Sequence, residues 1–211
     1  MTGPGAVTVL WGPVDSAERR AAHATLLRAA AELSGSPPHS IGIEYETGGR
    51  PRLTGPAAVL HVSVSHSPGA RAVALSTHAP VGVDIETVRP LPALRMARRW
   101  FAPADADWLT RLPQPERVRA FYWLWTQKEA VGKARGHGLA HGGLTQRLPT
   151  PTHRPWRFRP GTPATPPALD PLPDGTGTAC AVLPTGRGPH VLAVACLDGA
   201  DVRIDLRRCD R

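Results

Sequence analysis

The sequence predicts an α+β fold with two lobes of similar size, 1–82 and 83–211. Three observations carry this. β-like runs cluster between residues 59 and 86, helical runs fill most of 94–135, and short β-like runs return after residue 179. Strands, then helices, then strands is the α+β order.

The elements follow in chain order. The opening MTGPGAVTVL lacks a basic stretch leading into an apolar one, so no signal peptide is expected. Residues 16–33 are Ala-rich with helical spacing, opened by Ser16 as candidate N-cap and closed by Gly35. Residues 36–56 carry Pro-Pro, Gly-Gly and Arg50-Pro51, and read mainly as loop with a short strand over 41–45. Residues 59–65, where Val62 and Val64 alternate with Ser63 and Ser65, read as a strand, as do 71–76 and 81–86. The stretch 94–112 is helical in pieces, interrupted at Pro103, and 116–135 is one long helix ended by Gly136. Residues 149–188 hold much of the proline, with strands expected at 156–159 and 179–183, then at 191–197 and 202–206.

Composition narrows the class. The 211 residues are 41% hydrophobic and 20% charged, as in a globular protein. No run approaches the ~20 apolar residues needed to cross a bilayer. Cys180, Cys196 and Cys209 are odd in number and form no CxxC pair, so neither a disulfide framework nor a zinc cage is indicated, and the cytoplasm is the expected compartment. A net charge of +8 suits an acidic partner: nucleic acid, a phosphorylated cofactor or an acidic protein surface. Lys128 and Lys133 are the only lysines in the chain, five residues apart among arginines. An ammonium is a compact, titratable charge that a guanidinium does not replace.

Two segments carry candidate chemistry. In Gly82-Val83-Asp84-Ile85-Glu86, strand alternation sends Val83 and Ile85 to one face and Asp84 with Glu86 to the other. Paired carboxylates repel unless a cation lies between them, and hard oxygen ligands favour Mg²⁺ or Mn²⁺; a solvated strand face is the other reading. In Trp125-Thr126-Gln127-Lys128-Glu129-Ala130-Val131-Gly132-Lys133, Glu129 and Lys133 share one helix face, while Lys128 is rotated by about 100°. A plain surface pair fits the same spacing. Phe121, Leu124 and Trp125 have the spacing of a buried stripe. Ser65-His66-Ser67 ends a strand and offers polar groups to an anion, and Arg50 in Gly48-Gly49-Arg50-Pro51 presents a cation from a turn. No G-x-S-x-G elbow accompanies the serines, and adjacent Ser65 and His66 would face apart on a continuing strand, which disfavours a hydrolase.

In order, G-G-R-P, S-V-S-H-S, G-V-D-I-E and W-T-Q-K-E-A-V-G-K-A-R-G-H-G-L resemble the 4′-phosphopantetheinyl transferase superfamily, in its surfactin-synthetase-activating type. The resemblance runs from about Thr25 to Leu139. It implies transfer of the 4′-phosphopantetheine arm of coenzyme A to a serine of an apo acyl or peptidyl carrier protein, with release of adenosine 3′,5′-bisphosphate. It implies Asp84, Glu86 and Glu129 as ligands of Mg²⁺ on the diphosphate, Lys133 as the group stabilising the diphosphate and the leaving product, and Glu129 as acceptor of the serine proton, directly or through water on the metal. Lys128 would contribute to the same site. Arg50, Ser65 and His66 match positions that contact phosphates of coenzyme A, and Thr25 matches a position near its 3′-phosphate.

The implied fold is a pseudodimer of two α+β lobes, each a helix on a small antiparallel sheet, with the site in the cleft between them and a monomer as the working unit. Relatives often have Phe-Asn at Val62-Ser63, Lys at Arg50 and Glu near Asp105, and longer relatives carry basic residues before the first helix that have no counterpart here; Arg19 or Arg20 would have to serve. The positive balance would suit the acidic surface of a carrier, with Arg95, Arg98 and Arg99 as a candidate docking face. The resemblance leaves open whether the carrier serves fatty-acid, polyketide or nonribosomal-peptide assembly. Two alternatives stand beside it. A nucleic-acid-binding protein would fit the charge, but no helix-turn-helix, zinc-finger or RNP signature occurs. A silent relative that only binds coenzyme A or a carrier is disfavoured by intact Asp84, Glu86, Glu129 and Lys133.

Overall fold

The computed structural model describes residues 5–15, 18–138, 143–148, 151, 168–185, 188–199 and 201–209. The expected N-cap Ser16 and the expected strand at 156–159 lie outside them. The described elements are α+β. Strand β1 (Ala6–Pro13), helix α1 (Glu18–Ser34), strands β2 (Gly42–Tyr45) and β3 (Pro51–Thr54), then β4 (His61–Ser67), β5 (Ala70–Ser76) and β6 (Val81–Thr87) come first. Helices α2 (Ala93–Trp100), α3 (Pro103–Arg111) and α4 (Gln114–Ala134) follow, then β7 (Asp170–Pro171), β8 (Ala179–Leu183), β9 (His190–Cys196) and β10 (Arg203–Arg208). Among the described residues no helix is long and apolar enough to cross a membrane.

One four-stranded sheet has the order β10-β1-β5-β4, a second has β6-β9-β8-β7, and β2 with β3 form a separate hairpin. β10 pairs parallel with β1, so the end of the described chain returns to the first sheet. Three apolar clusters stack these parts. Leu26, Ala22 and Ala29 of α1 bury against Val73, Leu75 and Val62 on one face of the first sheet. Val7, Val9 and Ala72 meet Val81, Val83, Ile85 and Val194 between the two sheets. Phe121, Leu124, Ala130 and Val131 of α4 cover Ala193, Ala195 and Cys180 on the far face of the second.

α4 is buried on nearly all sides. Phe121, Tyr122, Trp123 and Leu124 are four successive residues, each no more than 8% exposed. A helix in that state must be packed from both sides, and here β6 and β9 lie on one side and α2 and α3 on the other. The approach to β6 is close: a Cβ on Gly82 would sit 1.9 Å from the Ala130 carbonyl oxygen, and one on Gly132 2.0 Å from that of Gly138. Both glycines belong to the two chemistry-bearing segments. Gly82→Ala is therefore expected to destabilise the fold by more than about 2 kcal/mol, because backbone rather than a movable side chain must give way. A urea midpoint within error of wild type would show that α4 can shift freely.

Two expectations are corrected. Residues 36–56, read mainly as loop, hold the hairpin β2–β3, in which Pro51 opens a strand that pairs on one side only. β1 was unforeseen in a Gly- and Pro-rich opening; it lies between β5 and β10 and has six buried residues in succession, so it shows no alternation.

Candidate active site

β4 and β6 run in the same direction at the edges of the two sheets, joined by side chains instead of backbone pairs. Ser63, Ser65 and Ser67 each accept a hydrogen bond at Oγ, from the backbone N–H of Val83 at 3.0 Å, Ile85 at 3.2 Å and Thr87 at 3.1 Å. These are the N–H groups that β9, on the other edge of β6, leaves unpaired, and buried N–H groups need a partner. Two of the hydroxyls donate onward: Ser65 Oγ to Asp84 Oδ1 at 2.8 Å and Ser67 Oγ to Glu86 Oε2 at 2.9 Å.

α4 brings the remaining charged groups to the same edge. Lys133 Nζ donates to Asp84 Oδ1 at 2.8 Å and to the Val83 carbonyl at 3.1 Å. Asp84 Oδ2 is buried and bonds to nothing among the described residues, although Oδ1 receives two donors. Glu129 stands close enough to feel both other acids. Burial first, then the Asp84 carboxylate, push its carboxyl up to about 7, against the pull of Lys133; Glu86 adds to the rise. The Glu86 carboxyl is also raised, by burial and then by Asp84, while hydrogen bonds from Ser67 and Trp125 act the other way. Three carboxylates thus crowd one ammonium, with one buried oxygen unsatisfied, which is a donor set suited to a hard divalent cation. Among the described residues no three His, Cys, Asp or Glu side chains already stand in a metal-binding arrangement.

The other sequence-predicted residues fall into separate places. Arg50 ends the β2–β3 turn, its Nη1 3.3 Å from where a Cβ on Gly136 would lie, so it abuts the end of α4 one turn beyond Lys133. His66 is exposed on the opposite face of β4 from Ser65, near Glu18 and His23. Ser65 has its hydroxyl engaged by Ile85, from which it accepts, and by Asp84, to which it donates. Thr25 is 3% exposed; its hydroxyl donates to the Ala21 carbonyl at 2.8 Å and accepts from Nε of the buried Arg71 at 2.9 Å.

Lys128 stands apart from the carboxylate junction. It is fully buried, donates to Asp105 Oδ2 at 2.7 Å and to the Gln146 carbonyl, and lies over the Phe101 ring. The rotation from Glu129 that separates it on the helix sends it into the α3–α4 interior, where burial lowers its pKa against the pull of Asp105. Truncating either partner leaves an uncompensated buried charge and is expected to cost about 3–5 kcal/mol. The double change Lys128→Met with Asp105→Leu should recover most of that in urea unfolding. Additive single losses in the double variant would mean that the pair is not coupled.

The sequence reading missed Trp125 as a donor to Glu86, and Arg71, and it read Ser67 as a group for an anion where its hydroxyl donates to Glu86.

Residues 80–164 match the family model described as the 4′-phosphopantetheinyl transferase superfamily. The chain is similar to the 4′-phosphopantetheinyl transferase HetI of Nostoc sp., 33% identical over 121 residues, 56% of this chain and 51% of that protein. It is 34% identical over 119 residues to the 4′-phosphopantetheinyl transferase psf-1 of Bacillus pumilus, 56% of this chain and 50% of that one. To the 4′-phosphopantetheinyl transferase Sfp of Bacillus subtilis it is 34% identical over 80 residues, 38% of this chain and 35% of the relative. The chain thus spans about half, or less, of the length of these relatives. Together the family model and the relatives support the 4′-phosphopantetheinyl transferase superfamily for this chain.

Proposed function

We propose that the chain transfers the 4′-phosphopantetheine arm of coenzyme A to a serine hydroxyl of an apo carrier protein and releases adenosine 3′,5′-bisphosphate, as a monomer in the cytoplasm and in the manner of the surfactin-synthetase-activating type. The observation that carries this is the meeting of Asp84, Glu86, Glu129 and Lys133 at the β4–β6–α4 junction, with Asp84 Oδ2 buried and unbonded. The two sheet-and-helix halves, 1–82 and 83–211 apart from the returning β10, act as the lobes of a pseudodimer with this junction in the cleft between them.

In this reading the serine oxygen forms a bond to the phosphorus that carries pantetheine, the anhydride P–O bond breaks, and the departing 3′,5′-bisphosphate keeps the electron pair. Such transfers depend on positioning and charge neutralisation more than on covalent help. Asp84, Glu86 and Glu129 would hold Mg²⁺ or Mn²⁺, which when bound polarises the diphosphate oxygens. Lys133, held against Asp84 and the Val83 carbonyl, offers its one remaining N–H to the leaving group. Glu129 is proposed to accept the serine proton. Arg50, abutting the same end of α4, is proposed to meet the phosphates of coenzyme A, and His66 to meet them from the α1 side.

The carrier would dock by charge. Arg95, Arg98 and Arg99 are all exposed on α2, beside a groove of about 530 Å³ lined by Leu91, Leu94, Gln114 and Val118. An acidic carrier surface would gain mainly in association rate from such a face.

The direct test is to incubate the chain with an apo carrier, coenzyme A and Mg²⁺ and follow intact mass. A gain of about 340 Da on the carrier, the mass of the transferred group in this phosphoryl transfer, is expected. No gain with carriers of all three assembly types would refute the reading.

A further inference from the structure

The three serines of β4 are not equivalent. All accept a hydrogen bond from a backbone N–H of β6, yet only Ser65 and Ser67 donate one to a carboxylate. We infer that Ser65 and Ser67 are positioning residues that set the orientation of Asp84 and Glu86, whereas Ser63 serves only to join the two sheets. The inference rests on the proposed carboxylate site and adds to it the residues that aim its oxygens.

The argument is one of hydrogen-bond inventory. A serine hydroxyl has one proton and two lone pairs. A backbone N–H can only donate, so Ile85 and Thr87 occupy a lone pair of Ser65 and Ser67 and leave each hydroxyl proton directed elsewhere. An ionised carboxylate only accepts, and a bond to it is short and charge-assisted, as at 2.8 and 2.9 Å here. One oxygen of each acid is therefore pinned to β4: Oδ1 of Asp84 and Oε2 of Glu86. For Asp84 the consequence is visible, because its other oxygen stays buried without a bond. Residues 63, 65 and 67 face residues 83, 85 and 87 at a constant offset of 20, so the same register that joins the sheets also delivers the Ser65 and Ser67 hydroxyls to the acid one residue earlier on β6, where Ser63 meets Gly82 instead.

Ser63 is the internal control. It is as buried as the other two, at 4% against 6% for each, and its bond to Val83 is of the same kind. A role in joining alone predicts equal effects at all three positions, and a role in aiming predicts two effects and one exception.

The experiment compares Ser63→Ala, Ser65→Ala and Ser67→Ala in the full chain by thermal melting, by Mn²⁺ titration with coenzyme A present, read as loss of the free-ion electron paramagnetic resonance signal, and by the Mg²⁺ dependence of transfer. Outer groups that orient metal ligands change metal affinity by about 10–100-fold. Ser65→Ala and Ser67→Ala are expected to weaken Mn²⁺ about tenfold and to raise the half-saturating Mg²⁺ concentration by a similar factor. Ser63→Ala should lower the melting temperature yet keep Mn²⁺ affinity within about twofold of wild type. Ser67→Thr, which keeps the hydroxyl, should restore the metal response.

Equal Mn²⁺ losses at all three positions, or none at 65 and 67, would overturn the inference, as would a wild type that binds no Mn²⁺. If Ser63→Ala does not fold, Ser67→Thr decides: a Mn²⁺ loss as large as that of Ser67→Ala counts against aiming. A wild type that transfers nothing but keeps the expected order of Mn²⁺ affinities would refute the reaction and leave the positioning role standing. Normal transfer with equal effects at the three serines would do the reverse.

Discussion

Asp84→Asn is expected to slow phosphopantetheinyl transfer by at least about a thousandfold while leaving the melting temperature near that of wild type. Asparagine keeps the shape, and its carbonyl oxygen can still accept from Ser65 and Lys133, which bond to Oδ1 now. The negative charge is lost, and with it the oxygen that, among the described residues, is buried and unbonded at the junction. A thousandfold corresponds to about 4 kcal/mol of transition-state stabilisation, a magnitude that loss of one preorganised electrostatic contact reaches. Stability has opposing contributions. The Lys133 pair is weakened, and the lysine side chain is still partly exposed, at 27%, so the loss is moderated by solvent. Against this, the Asp84 carboxylate raises the pKa of both Glu86 and Glu129, so its removal relieves two repulsions. The checks are single-turnover release of adenosine 3′,5′-bisphosphate and a melt in the absence of metal. A rate within tenfold of wild type would mean that this carboxylate does not act on the diphosphate.

Much of this junction could be read from the sequence, and the exceptions have physical causes. The acids of β6 and the acid and ammonium of α4 were legible because period 2 and period 3.6 each place them on a definite face. That the two faces meet was legible only through resemblance, since no local rule relates residue 84 to residue 129. The alternation of Val62 and Val64 with serines signals a strand with one apolar and one polar face, and a polar face is ordinarily solvated. Here Ser63, Ser65 and Ser67 are all buried, because the N–H groups of β6 satisfy them. The burial of Lys128 was hidden for the converse reason. Lysines are almost never buried, and the ion pair that makes this one an exception needs Asp105 from another helix. β10 was legible as a strand at 202–206, but its pairing lay beyond local inference, because its parallel partner β1 is nearly two hundred residues earlier in the chain, at a register of Ala6 to Arg203.

Glu129→Gln should abolish transfer and at the same time stabilise the metal-free protein above neutral pH. The sign follows from linkage. Burial and the Asp84 carboxylate raise this carboxyl from 4.5 to about 7. Between those values the folded chain holds a proton that the unfolded chain has released, so stability falls as pH rises through the window and is level above it. The raised carboxyl of Glu86 contributes in the same sense. Glutamine keeps the shape and does not titrate, so the slope should shrink to what Glu86 supplies. At pH 8 in EDTA the variant should be more stable by on the order of 1–2 kcal/mol, a figure reduced for the partial exposure of the group. Mg²⁺ with coenzyme A should then raise the melting temperature of wild type and leave that of the variant nearly unchanged, because a ligand stabilises only the state that binds it. Urea midpoints at pH 5, 6, 7 and 8 decide the matter. Parallel curves for the two proteins would mean that Glu129 is ionised in the folded chain without penalty, and three crowded carboxylates would then no longer be a reason to place a cation among them.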